Sequence, residues 1–234
     1  TAYRRQRQMC IRDRSKRLRE QKGVWLNMAR EDYQKALKKG ERSYARYLSE
    51  GKYPYLQVLE ELLSHTDVVA EEDLGICSIP SEMIVGTFTA GRRTAFAPNF
   101  MPLLDDESEF AAKWQTLYNA HLEEGIHDPI KCYEFMNRYY VLEGNKRVSV
   151  LKFCGAPSVQ GNVTRIIPKR TDEPENRLYF EFLAFYKCSK VNYIVLSKLG
   201  SYRTLLEKLG FEVDYKWTDD DLSLIHISEP TRQA

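Results

Sequence analysis

Tyr139-Tyr140-Val141-Leu142-Glu143-Gly144-Asn145-Lys146-Arg147-Val148-Ser149-Val150-Leu151 is the stretch whose reading decides the fold. An apolar, aromatic-rich run reads as a strand, Gly144 stops it, and the alternation of basic and β-branched residues that follows reads as a buried helix. A helix that opens straight after a tight glycine turn leaves its first N–H groups without intrahelical partners, and the macrodipole adds partial positive charge to them. Lys146 and Arg147 place two full charges at that same end, where they oppose the dipole. The pattern predicts an anion site, for instance for a phosphate. The plain alternative is a solvated Lys-Arg pair on an ordinary strand-turn-helix.

Working outward, Ile130–Glu134 reads as a strand that Met136-Asn137-Arg138 turns back into Tyr139–Glu143. Before it, Glu107–Glu124 carries Phe110, Ala111, Trp114, Leu117, Tyr118, His121 and Leu122 at helical spacing and stops at Gly125. Thr87–Asn99 is polar and punctuated by glycine, a loop with a second basic pair, Arg92-Arg93. Ile76–Ile79 reads as a short strand running into a turn at Pro80, with Ser81 placed to cap, and Glu71–Gly75 reads as the loop before it. Near the start, Glu31–Tyr47 predicts an amphipathic helix interrupted at Gly40, and Tyr55–Leu63 a second helix. On the far side, Gly155 caps the helix, Val159–Ile167 is a further strand, and a polar linker runs from Lys169 to Pro174. The helix Glu175–Lys190 with an aromatic stripe, the strand Val191–Leu196 and the helix Tyr202–Leu209, stopped by Gly210, complete an αβα extension. The expected division is a helical extension over 28–70, a central domain over 71–168 and this extension over 169–222.

Both ends distort the charge. Thr1–Arg14 has no apolar periodicity and looks like translated sequencing-adapter sequence of the kind found in metagenomic fragments, as does Ser223–Ala234. Met28, followed by Ala29-Arg30-Glu31-Asp32, reads as a natural opening. Residues 1–27 hold nine Lys/Arg against Asp13 and Glu20, so the formal +2 of the whole chain becomes about −5 for Met28–Asp221. That balance disfavours DNA as a partner. No apolar run approaches the roughly 20 residues of a membrane-spanning helix. The five cysteines, Cys10, Cys77, Cys132, Cys154 and Cys188, are scattered and form no C-x-x-C pair, which predicts reduced core residues in a cytoplasmic protein.

The order I-P-x-x-x-I-V-G (Ile79–Gly86), an arginine loop, a long helix, G-I-x-x-P-I (Gly125–Ile130), a strand and G-N-K-R (Gly144–Arg147) resembles the amino-terminal domain of the ParB and sulfiredoxin superfamily over about Leu74–Pro168. The resemblance implies an α+β fold, a small mixed sheet with packed helices. It also implies a nucleotide triphosphate, CTP or ATP, with Mg2+. Gly125 and Ile126 would line the phosphate site, Gly144, Asn145, Lys146 and Arg147 would bind phosphate, and Arg92 or Arg93 would face the base or a phosphate. Asn145 stands where ParB proteins have a glutamate and sulfiredoxins their catalytic cysteine, so sulfiredoxin chemistry is not expected. Some clostridial-type proteins similar to this chain continue into a solute-binding-like domain.

Four functions follow as expectations. The first is a nucleotide- or phosphate-binding module, in the manner of a regulatory switch. A phosphotransferase or nucleotide hydrolase in the same pocket would need a base or metal, with Glu143 and Glu82 the candidate acids. A DNA-binding ParB-like protein would need the reading helix that is absent after Pro168. A degenerate domain kept as a protein-interaction scaffold is the fourth.

Overall fold

The computed structural model describes residues 28–209. The expectations for residues 1–27, for the helix stop at Gly210 and for residues 223–234 fall outside that range. Residues 28–49 form helix α1. It is followed by β1 (Gln57–Val58), α2 (Leu59–Leu63), β2 (Val68–Pro80), β3 (Ile84–Thr87), α3 (Glu109–Glu123), β4 (Ile130–Phe135) and β5 (Arg138–Glu143). Then come α4 (Asn145–Phe153), β6 (Ser158–Pro168), α5 (Pro174–Ser189) and α6 (Ser201–Leu209). The strands make one six-stranded sheet in the order β1-β3-β5-β4-β6-β2. It is mixed, because β1, β3 and β5 run parallel, as do β4 and β6, while β4/β5 and β2/β6 are antiparallel. The architecture is mixed α and β, with helices packed on the sheet. Among the described residues no helix is long and apolar enough to cross a membrane.

The quoted stretch folds as its pattern predicts. Met136 and Asn137 both take positive φ, 53° and 61°, the left-handed pair that a two-residue hairpin needs between β4 and β5. At the end of β5, Gly144 sits at φ 109°, where a Cβ would lie 2.8 Å from Ile130 Cγ2, so only glycine fits the turn into α4. Val148, Ser149, Val150 and Leu151 are all buried, which places α4 inside the main core with α1 and α3 around it. Ser108 caps α3, its hydroxyl accepting from the Ala111 N–H at 3.1 Å.

Several expectations are corrected. Gly40 does not interrupt α1; it lies within the continuous helix because a Cβ there would stand 2.2 Å from the Pro102 carbonyl oxygen. The glycine serves close packing rather than termination. Gly40→Ala is therefore expected to destabilise the fold by about 1–3 kcal/mol in urea titration. Gly91→Ala, where a Cβ meets nothing within 4 Å, should stay within about 0.5 kcal/mol. Equal costs at the two positions would refute the packing account.

Glu71–Gly75 is not a loop but the middle of β2, a thirteen-residue edge strand paired with β6. Its acidic residues read as a loop because an exposed edge buries little, and charge there blocks pairing with another chain. Tyr55–Leu63 is a short strand followed by a single helical turn, so the sheet starts within the segment expected to be helical. Ser81 does not cap: it opens a 3-10 turn, and its hydroxyl donates to the Ala156 carbonyl at 2.5 Å. The expected loop at 87–99 holds a 3-10 turn, Ala90–Ala95, and buries Phe96 and Ala97. Cys154 is exposed at the end of α4, whereas Cys132 and Cys188 are buried.

The expected strand Val191–Leu196 does not join the sheet. Its residues pack on α5 and α6, where Val191 is buried with Phe185 and Tyr202. Its polar atoms find partners of their own: Asn192 Nδ2 donates to the Ser78 carbonyl at 3.0 Å, and the Leu196 N–H donates to the Tyr202 hydroxyl at 3.1 Å. The region after β6 is thus two helices and an extended connection rather than αβα.

Candidate functional site

The start of α4 carries the residues that the sequence singles out, and the structure sends them in different directions. Arg147 turns toward the approach to β4, where its Nη1 donates to the carbonyls of Asp128 at 3.0 Å and Pro129 at 2.7 Å. Its Nη2 lies 3.6 Å from Glu143. The guanidinium thus ties two chain segments together through groups that would otherwise lack partners. Asn145 Nδ2 donates to Thr87 Oγ1 at 3.3 Å, and Thr87 Oγ1 donates in turn to the Val141 carbonyl at 3.1 Å. Asn145 Oδ1 is buried with no hydrogen-bond partner.

Lys146 points to the opposite side. Its Nζ lies 4.8 Å from the centre of the Phe110 ring, a cation–π contact, and among the described residues it has neither a hydrogen bond nor an ion pair. With Arg92 from the 3-10 turn and Lys113 from α3 it lines a cavity of about 390 Å³, in which Glu109 is the acid. Burial lowers the Lys146 pKa, and the like charges of Arg92 and Lys113 lower it further against the pull of Glu109. Glu109 itself pairs with Lys113, whose hydrogen bond holds its carboxyl below the usual range. The sequence gives no sign of Lys113: it sits on the exposed side of an amphipathic helix, one turn after Glu109, like any solvated helix lysine.

The other candidates stand apart from this cavity. Arg93 bonds to Glu61 and lies 5.7 Å over Tyr53. Gly125 ends α3 at φ 82°, its N–H donating to the His121 carbonyl at 3.0 Å, and Ile126 packs against the core. Glu143 is exposed and paired with Lys131 at 3.0 Å; that hydrogen bond and charge keep its carboxyl below the usual range. Glu82 is exposed on the 3-10 turn after β2 and lines a different groove, together with Lys152 at the last turn of α4. Lys152 donates to the Ile84 carbonyl at 2.7 Å, and burial pushes its pKa down to about 8. Among the described residues no group of three or more His, Cys, Asp or Glu is arranged to hold a metal ion.

The arrangement concentrates positive charge at one cavity beside a helix N-terminus and leaves its acids paired. No protein-family model matches the chain, and no curated protein matches it.

Proposed function

We propose that the chain is a ParB/sulfiredoxin-like module that binds the phosphates of a nucleotide triphosphate, CTP or ATP, in the cavity of Arg92, Lys113 and Lys146. The observation that carries this reading is the convergence of Arg92, Lys113 and Lys146 on one half-enclosed cavity whose lining acid, Glu109, is already paired with Lys113; burial, joined by the like charges of Arg92 and Lys113, lowers the Lys146 pKa there. Like charges held together raise the energy of the empty state, and a polyanion relieves it. Phosphate contacts of Lys and Arg are charge-assisted and short, and the N-terminus of α4 adds its dipole from the same side as Lys146.

Binding is favoured over hydrolysis because, among the described residues, the acid that lines the cavity is already paired. Glu109 is engaged by Lys113, Glu143 by Lys131 and Arg147, and Glu82 belongs to another groove. Arg147 lies outside this cavity, its Nη1 engaged by the Asp128 and Pro129 carbonyls at the approach to β4.

Differential scanning fluorimetry of the full chain against CTP, ATP and inorganic triphosphate, each with and without Mg2+, tests the proposal. Ligand stabilisation at a hundredfold excess over Kd is about 2.7 kcal/mol, a shift of several degrees. Arg92→Ala and Lys146→Ala should each raise Kd by about tenfold or more, while Lys187→Ala on α5 leaves it unchanged. Absence of a shift with every polyanion at millimolar concentration, or full affinity in Lys146→Ala, overturns the reading.

A further inference from the structure

At the opposite end of α4 lies a groove of about 940 Å³. Tyr47 of α1, Tyr53 and Tyr55 of the following loop and Tyr193 of the segment after α5 all line it, with Arg138 at the start of β5 and Lys152 in α4. Four tyrosines from three separate parts of the chain meet there. Two of the rings are held in place: Tyr55 packs edge-on against Tyr53 at 5.6 Å and against Tyr44 at 5.3 Å.

The two cations lack what Lys52, which also lines the groove, and Lys131 have. Lys52 and Lys131 pair with Glu50 and Glu143 at 2.7 and 3.0 Å, whereas neither Lys152 nor Arg138 makes an ion pair among the described residues. Lys152 spends one proton on the Ile84 carbonyl and lies 4.9 Å from the Phe100 ring, which leaves two N–H bonds without an acceptor. The Arg138 side chain has no hydrogen bond or ion pair among the described residues; only its backbone is engaged, in the β5 ladder. Glu82 also lines the groove but forms an ion pair with neither cation among the described residues, and a half-buried ammonium without a bonded carboxylate is costly until an anion docks. With its pKa near 8, Lys152 is mostly protonated at pH 7.

We propose that this groove is a second ligand site, separate from the Lys146 cavity, for a flat aromatic ring that bears a carboxylate or a phosphate. The ring lies against the tyrosines, where offset or edge-on contacts favour another aromatic group, and the anion meets Arg138 and Lys152.

Three matched fluorescent probes test it: naphthalene-2-carboxylate, 2-naphthyl phosphate and the uncharged naphthalene-2-carboxamide, titrated into the full chain at pH 7. At least one anionic probe should bind tenfold or more tighter than the amide, and the tighter of the two identifies the acid group of the natural ligand. Arg138→Gln and Lys152→Met should each weaken that probe by about tenfold, with circular dichroism unchanged. The Arg138 side chain is exposed and unbonded, so its variant keeps the test valid even where Lys152→Met perturbs the fold. Tyr53→Ala should weaken carboxylate, phosphate and amide alike. Lys146→Ala should leave probe binding as it was, and inorganic triphosphate should not compete. Equal affinity for the amide, full affinity in Arg138→Gln, or displacement by triphosphate overturns the assignment.

Discussion

Arg165→Ala is expected to cost about 3–5 kcal/mol of folding stability, read as a lowered urea midpoint. Arg165 and Glu134 are each only 1% exposed and face each other across adjacent strands, with Arg165 Nε bonded to Glu134 Oε2. The carboxylate is further held by the Tyr179 hydroxyl at 3.1 Å and by the Asn137 N–H at 2.7 Å. The guanidinium lies 4.2 Å over the Tyr186 ring, and Glu72 of the edge strand stands 3.9 Å away. One side chain therefore joins β6, β4, β2 and α5. Removing it leaves a buried carboxylate without its counter-charge, which costs far more than an exposed pair is worth.

The same change should acquire a pH signature. Burial pushes the Glu134 carboxyl up, and the Arg165 charge is the leading group that pulls it back. Without Arg165 the folded protein holds the Glu134 proton more tightly than the unfolded chain does, whose value is about 4.3. Because burial already holds the native Glu134 carboxyl above its ordinary value, the deficit relative to wild type should be small below that raised native value and grow as pH rises past it. Replacing both partners, Glu134→Leu with Arg165→Met, should recover much of the loss, because two apolar groups need no compensation. A single-variant cost under about 1 kcal/mol, or a deficit that does not change with pH, would show that water reaches the pair.

The strand-glycine-helix at 139–151 was legible because three local signals agree there: an apolar strand, a glycine whose φ only glycine tolerates, and a run of buried β-branched residues. Legibility failed where tertiary contact overrides local pattern. Gly40 looks like a break until Pro102 is placed against it, and Glu71–Asp73 look like a loop until β6 supplies the ladder. Val191–Leu196 has strand composition but forms no ladder with the edge strand β2, which the Asn192 side chain reaches, and its apolar groups go to α5 and α6 instead. At the candidate site, the pairing of Lys146 with Arg147 in sequence concealed their separation in space. Neighbours on a helix point about a quarter-turn apart, which is enough for one to face α3 and the other the approach to β4. Lys113 joins Lys146 only through the crossing of α3 with α4, and no spacing in the sequence encodes that crossing.

That crossing rests on Trp114, and Trp114→Ala should cost about 3–5 kcal/mol, much of the 5–15 kcal/mol that a domain of this kind possesses. The ring is fully buried, stacks on Tyr118 at 5.4 Å and meets Tyr33 and Phe153 edge-on at 5.4 and 5.5 Å. Its Nε1 donates to Ser149 Oγ at 2.9 Å, so volume and a buried hydrogen bond together fix α3 against α4. Two companion variants separate these contributions. Trp114→Phe keeps most of the aromatic packing and strands the Ser149 hydroxyl, while Ser149→Ala strands the indole N–H; each should cost about 1–3 kcal/mol. Because α3 carries Lys113 and α4 carries Lys146, the same crossing sets how close their charges lie. On the proposed reading of the cavity, folded Trp114→Ala, selected at low temperature or in stabilising salt, should bind nucleotide more weakly than Trp114→Phe. If Ser149→Ala costs as much as Trp114→Ala, the hydrogen bond rather than the volume of the ring holds the helices, and Trp114→Phe should then disturb the cavity as much as Trp114→Ala.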